Sequence, residues 1–441
     1  MRVVERLKAR LGDFWYYSLM IFCASRVADA LNLFVGLWLV PKYVSPDELG
    51  AVMPLASFAA FLAVPLTAFA TTFMKEVNAL ATRREFGRLK SLMRGVFVAT
   101  ALALALAIVA SRLLMPLFLE RIRLVEGSLG VLIVAYALVS CTAPVYSNAL
   151  QALKKFGALS LISILGAPLR LLTMLVAMPL RAISGYFTGQ MATPAFGIVA
   201  SVVALRRELS VKAEPYWTKS VARRFSLLFL GVLAFGGAGM LMSLVELTVL
   251  RQRLPALDSA AYYMVSRFSD ISMFLSSALY VTLFPYTAER AECGLSTRPL
   301  VLKSSLAMIA FGALLALVFA LFGRSLLALL PYGSDYASFA WAIPWLIGIM
   351  TLYAIQNFHT NTEISAGRFG FLKWWIPVNL VFALGLLAVT GYGRFEAYLP
   401  ASWCAFLRVH NISSLQSMLW WMSAQALAKV LFSALEIARQ K

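Results

Sequence analysis

Apolar residues fill the chain in blocks about as long as a bilayer is thick, and roughly 20 such residues suffice for a helix to cross the hydrocarbon core. Twelve blocks predict twelve spanning helices, near 14–40, 51–73, 92–119, 129–150, 158–180, 182–205, 225–250, 260–286, 304–330, 339–361, 371–392 and 415–437. Pro41, Pro46 and Gly50 in PKYVSPDELG make the first reversal tight, and Pro54 and Pro65 are kink points in the second helix. Segment 393–414, with Trp403 and Phe406, is expected to lie in the interface. The longest hydrophilic interruption, RRELSVKAEPYWTKSVARR, is too short to be a domain. The expected organisation is a basic lead at 1–13, a six-helix half at 14–205, a cytosolic linker at 206–224 and a second six-helix half at 225–441. The fold class is an all-α polytopic membrane protein built from two pseudo-symmetric halves.

Composition agrees. The 441 residues are 61% apolar and 13% charged, with a mean hydropathy of +0.80, beyond what a soluble protein of this size needs. A net charge of +19 would suggest nucleic acid in a soluble protein. With a cytosolic N-terminus, however, 25 of the 39 Lys and Arg fall on the cytosolic side and 8 on the other. Membrane insertion biases basic residues in this way, so both termini are placed in the cytosol and no nucleic-acid partner is expected. Cys23, Cys141, Cys293 and Cys404 show no CxxC spacing, and His359 and His410 stand apart, so neither a metal site nor a disulfide is expected. The first block is too long for a signal peptide and is expected to remain as an uncleaved anchor.

Charges inside the apolar blocks change the picture most. FWYYSLMIFCASRVADALNLFVGLWLV, Phe14 to Val40, carries Arg26, Asp29 and Asn32 near its middle. A charge at such a position costs about 2.5–3.5 kcal/mol on insertion scales. Arg26 and Asp29, three residues apart on one helix face, offset each other and are expected to face protein or water. Arg267 and Asp270 repeat the spacing in the eighth helix, and Arg170 lies at similar depth in the fifth. Glu246 in the seventh is shallower.

Each has a structural alternative. The two Arg–Asp pairs fix packing, Glu246 pairs with Arg267, Arg170 satisfies carbonyls freed by Pro168, Lys75 is a positive-inside anchor, and Asn32 makes an interhelical hydrogen bond. GVLAFGGAGM in the seventh helix reads as a hinge or as close packing by small residues. Trp15, Tyr16, Tyr17, Trp374 and Trp375 read as interfacial belts. Neither histidine shows a helical catalytic partner.

Sliding the chain by 211 residues sets Asp47 over Asp258, Thr71 over Thr282 and Phe73 over Phe284, and the second span over the eighth in the same orientation. Two parallel six-helix halves produce such a register. A long first helix, the turn SPDELG, and the later stretch VELTVLRQRLPALDSAAYYMVSRFSD resemble the polysaccharide (oligosaccharidyl-lipid) flippase family, in the superfamily that also holds multidrug extruders and the lipid II flippase. Ala261 stands where that family usually has glycine before the helix-eight tyrosine.

The resemblance implies a flippase for undecaprenyl-pyrophosphate-linked oligosaccharide, working by alternating access in a bacterial inner membrane for cell-surface polysaccharide synthesis. By the same resemblance Arg26 and Arg267 line a cationic cavity for pyrophosphate, with Arg170, Asn32 and Lys75 as further substrate contacts. Asp29, Asp270 or Glu246 would take a coupling H+ or Na+, and no other cofactor is implied. Expected partners are the lipid-linked substrate and membrane lipid, with a polymerase or glycosyltransferase as neighbours, and the protein is expected as a monomer. A multidrug or organic-cation extruder of the same fold is the alternative. A membrane enzyme of polysaccharide assembly is the other alternative, but the short outer loops and the lack of an evident base or nucleophile argue against enzymatic chemistry. No GxxxxGK[ST] motif suggests ATP hydrolysis.

Overall fold

The computed structural model describes residues 23, 26–122, 124, 129–153, 155–273, 298–365, 368–391 and 412–438. The regular elements among them are helical. α1, residues 26–34, continues through a π turn at Val35–Leu39 into Val40–Tyr43. Then come α2 (Pro46–Thr82), α3 (Phe86–Arg121), α4 (Leu129–Ala152), α5 (Phe156–Leu205) and α6 (Lys219–Arg253). α7 covers residues 256–273. α8 (Arg298–Ala328), α9 (Ala342–Ser365), α10 (Leu372–Gly391) and α11 (Leu415–Ala438) complete the series. The basic lead 1–13, the aromatics Trp15, Tyr16 and Tyr17, and nearly all of 393–414 lie outside the described residues.

Every predicted span meets one of these helices. Seven are long and apolar enough to cross a membrane, and Gly333–Phe339 with Ala342–Glu363, bent by 65°, makes an eighth. Large apolar side chains such as Val176, Leu180, Leu321 and Leu329 point outward, as a lipid-facing surface requires. The protein is an all-α, multi-pass membrane protein.

Two local features are explained by their residues. SPDELG is a helix start: the Glu48 amide donates to Ser45 Oγ at 3.3 Å, and Glu48 Oε2 accepts from the Ser45 amide at 3.4 Å and from Ser45 Oγ at 3.0 Å. With Pro46 at the first helical position and two acids in the first turn, this is a capping box reinforced by the helix dipole. α5 holds both predicted helices 158–180 and 182–205. Its one non-helical residue is Arg181 (φ −152°, ψ 65°), two after Pro179, whose ring cannot continue the ladder. The limbs fold back so tightly that a Cβ on Gly185 would meet the Ala177 carbonyl at 2.5 Å.

The contacts group the chain into two compact units. One holds the described residues up to Val35 with Phe58–Glu120 and Val125–Gly237; the other holds Gly36–Ser57, Arg121–Leu124 and the rest from Ala238. In the first, Phe73, Val77, Leu89, Leu92, Ala149, Leu150 and Leu205 form a fully buried core at the ends of α2–α5. The stretch 206–218 docks onto the same unit. Lys90 Nζ donates to Val211 O at 2.8 Å, the Glu214 amide to Gly87 O at 3.1 Å, and the Tyr216 hydroxyl to Glu76. Lys155 Nζ reaches Glu208 Oε2 at 2.8 Å. Burial alone would raise the Glu208 carboxyl, but the hydrogen bond and charge of Lys155 outweigh it and hold the group below its usual range. In the second unit, Val301, Met308, Ile355, Phe358 and Ile437 pack α8, α9 and α11 together. Asp258 Oδ2 there accepts the Leu415 amide at 3.4 Å, satisfying a free donor at the start of α11.

Candidate functional site

In the first unit, Arg26 Nη2 and Asp29 Oδ2 are 3.0 Å apart, with 31% and 23% of their side chains exposed. They form the intrahelical pair that their spacing predicts. Asn32, one turn further on, is exposed. Arg170 donates from Nη1 to Gln190 Oε1 at 3.4 Å, linking the two limbs of α5, while its buried Nε has no hydrogen-bond partner among the described residues. Tyr136 and Tyr186 act on it electrostatically. Lys75 lies in α2, but its side chain is outside the described residues.

In the second unit, Arg267 Nη1 and Asp270 Oδ2 are 3.1 Å apart, with 26% and 32% exposed. The guanidinium also lies 5.0 Å from the Tyr263 ring centroid. Its stem crosses α1 where the π turn presents Gly36: a Cβ there would sit 2.8 Å from Arg267 Cδ. Gly36→Val is therefore expected to displace that stem at a cost of about 1–3 kcal/mol, read as a lower melting temperature. An unchanged melting temperature would mean the stem yields freely.

Glu246 is buried at 6% exposure, and its Oε1 has no hydrogen-bond partner among the described residues. The opposite charge acting on it is Lys429, at 5% exposure. Lys429 Nζ stands 5.3 Å from the Tyr353 ring centroid and 4.9 Å from that of Trp375. The Tyr353 hydroxyl donates to Gln425, one helical turn before Lys429. Trp375 is thus buried and packed on a cation, which corrects its reading as an interfacial belt residue.

Sequence reasoning did not single out Lys429, Tyr353 or Gln425. A signal was present: Met418, Met422, Gln425, Ala426, Lys429, Ser433 and Ile437 form the buried stripe of α11, so its polar members face inward. His359 stands between two serines of other helices: its Nε2 lies 3.0 Å from Ser305 Oγ and its Nδ1 lies 2.9 Å from Ser433 Oγ. Each hydroxyl also lies within hydrogen-bond distance of a carbonyl of its own helix, so the trio ties α8, α9 and α11 together. In the glycine run of α6, a Cβ on Gly239 would sit 3.3 Å from the Trp375 ring, whereas one on Gly237 would meet nothing within 4 Å among the described residues, so close packing accounts for Gly239 and not for Gly237.

No protein-family model matches the chain, and no curated protein matches its sequence. Solved structures do resemble it. A multidrug resistance MATE family transporter of the MOP superfamily, in an inward-facing conformation, is 11% identical, with 93% of this chain and 94% of that one covered at a TM-score of 0.67. The lipid II flippase MurJ, in an inward closed conformation, is 13% identical, with 95% and 87% covered at 0.64. The Vibrio cholerae MATE transporter VcmN, in the bent form, is 13% identical, with 99% and 98% covered at 0.57. At such identities the likeness is one of fold. The expected all-α, multi-pass fold is the fold found.

Proposed function

We propose that this protein is a transporter that flips undecaprenyl-pyrophosphate-linked oligosaccharide across a bacterial inner membrane by alternating access, with both termini cytosolic. The observation that carries the reading is the pair of accessible guanidinium groups, Arg26 and Arg267, on apolar helices. A guanidinium stays charged at any relevant pH, and its planar fork matches two phosphate oxygens. Such a charge belongs against a polar path or ligand and not against lipid tails. Asp29 and Asp270 neutralise the arginines while no substrate is present, and a pyrophosphate competes with them for the same donors. Arg170 is a further phosphate contact, and Asn32 and Lys75 are contacts for the head group. The coupling ion, H+ or Na+, falls to Asp29 or Asp270, whose carboxylates are the accessible ones.

Likeness of fold to MATE transporters and to MurJ supports a transporter and does not choose between their substrates. Permanent positive charge favours an anionic lipid head over an organic cation. The test is reconstitution in liposomes, following a fluorescent polyprenyl-pyrophosphate oligosaccharide by its protection from an external quencher. Protein-dependent loss of protection is expected. Liposomes that move an organic-cation dye and leave the lipid in place would overturn the reading in favour of an extruder.

A further inference from the structure

Glu246 has the surroundings of an ion site, and those surroundings already contain a cation. Its buried carboxylate acts electrostatically on Lys429, Tyr262 and Tyr353, which come from three other helices. Among the described residues, Glu246 Oε1 and the Nε2 of the buried Gln425 have no hydrogen-bond partner. Lys429 enters from α11 with its ammonium over the faces of Tyr353 and Trp375. Aromatic faces with a carboxylate nearby are how proteins hold ammonium ligands, because ring quadrupole and opposite charge both attract the cation. Here that ammonium belongs to the chain. Among the described residues the charges in the neighbourhood cancel: Arg267 with Asp270, and Glu246 with Lys429. A metal cation added to this set would leave buried positive charge uncompensated, which a low-dielectric interior disfavours.

We propose that the cluster is a monovalent-cation site whose cation is the Lys429 ammonium, so that Glu246 takes no ion from solution while Lys429 is in place. Without the ammonium, the Glu246 carboxylate and the Tyr262 and Tyr353 hydroxyls become hard oxygen donors around vacated space, which suits Na+. The inference rests on the transporter reading for the site's place in a transport cycle. Its test is a binding measurement that needs no substrate, so failure of lipid flipping would leave this result untouched.

Purified protein in detergent, at mildly alkaline pH, is melted in NaCl, KCl and choline chloride of equal ionic strength. Any difference the wild type shows between the salts is expected to persist unchanged in Glu246→Gln. Lys429→Met is expected to be stabilised by NaCl over choline chloride in a saturable way, and the double variant Glu246→Gln with Lys429→Met to lose that response. Recovery of Lys429→Met only when sodium is present during purification supports the proposal equally. A sodium stabilisation of the wild type that Glu246→Gln removes would overturn it, as would a monodisperse Lys429→Met indifferent to sodium. Failure of Lys429→Met in every salt, whether or not the double variant purifies, also counts against it, because no ion then replaces the ammonium.

Discussion

Replacing Arg26 and Arg267 together by alanine is expected to abolish flipping of the lipid-linked oligosaccharide while the protein still inserts and purifies. A hydrogen bond to a charged group contributes about 1.5–3 kcal/mol. Each 1.36 kcal/mol is a factor of about ten in rate. Loss of one guanidinium therefore slows transport by roughly 10- to 150-fold if its bonds tighten in the step that limits transport. Loss of both takes the rate below detection. Lysine at both positions keeps the charge but not the fork, so an intermediate rate is expected. Stability is less affected, because each pair is partly exposed and its aspartate can be solvated. Rates are measured in liposomes and normalised to reconstituted protein. Wild-type flipping by the double alanine variant would remove both arginines from the substrate path and leave the fold intact.

The largest stability effect is expected at Glu246. Glu246→Leu leaves the Lys429 ammonium buried without its opposite charge, and breaking a buried charge pair in this way costs about 3–5 kcal/mol. Adding Lys429→Met removes the stranded charge, and the double variant is expected to recover to within about 1 kcal/mol of the wild type, since a well-packed apolar pair often replaces a buried ionic one without loss. The measurement is chemical denaturation in detergent, arranged as a double-mutant cycle. Additive losses from the two single changes would show that the residues do not act as one electrostatic unit.

Much of the fold was legible because it follows from local rules. Each predicted apolar block meets a helix among the described residues, and the break between 158–180 and 182–205 falls on Arg181, beside the proline that causes it. The Arg26–Asp29 and Arg267–Asp270 pairs were legible for the same reason: residues three apart on a helix meet whatever the tertiary structure does. The Glu246 cluster was not. Its members come from α6, α7, α9, α10 and α11, and only packing brings them together. Lys429 has no acidic residue three or four places along its helix to mark it, and Trp375 looked like a belt residue because it stands near a helix end. The docking of 206–218 was equally hidden, since two of its bonds use backbone groups that carry no sequence signature and the other two join residues 53 and 140 positions apart.

The bend at Arg181 has a consequence for register. With one residue between the limbs of α5, there is no slack to absorb a change in length. The bend fixes how far each limb slides past the other, and so sets Arg170 opposite Gln190 and the Gly166 carbonyl opposite the Thr193 hydroxyl at 2.7 Å. One inserted residue would advance the second limb by about 1.5 Å and rotate it by about 100°, turning Gln190 and Thr193 away from their partners together. The hairpin behaves as a ruler marked at a single point, and Arg181 is the mark.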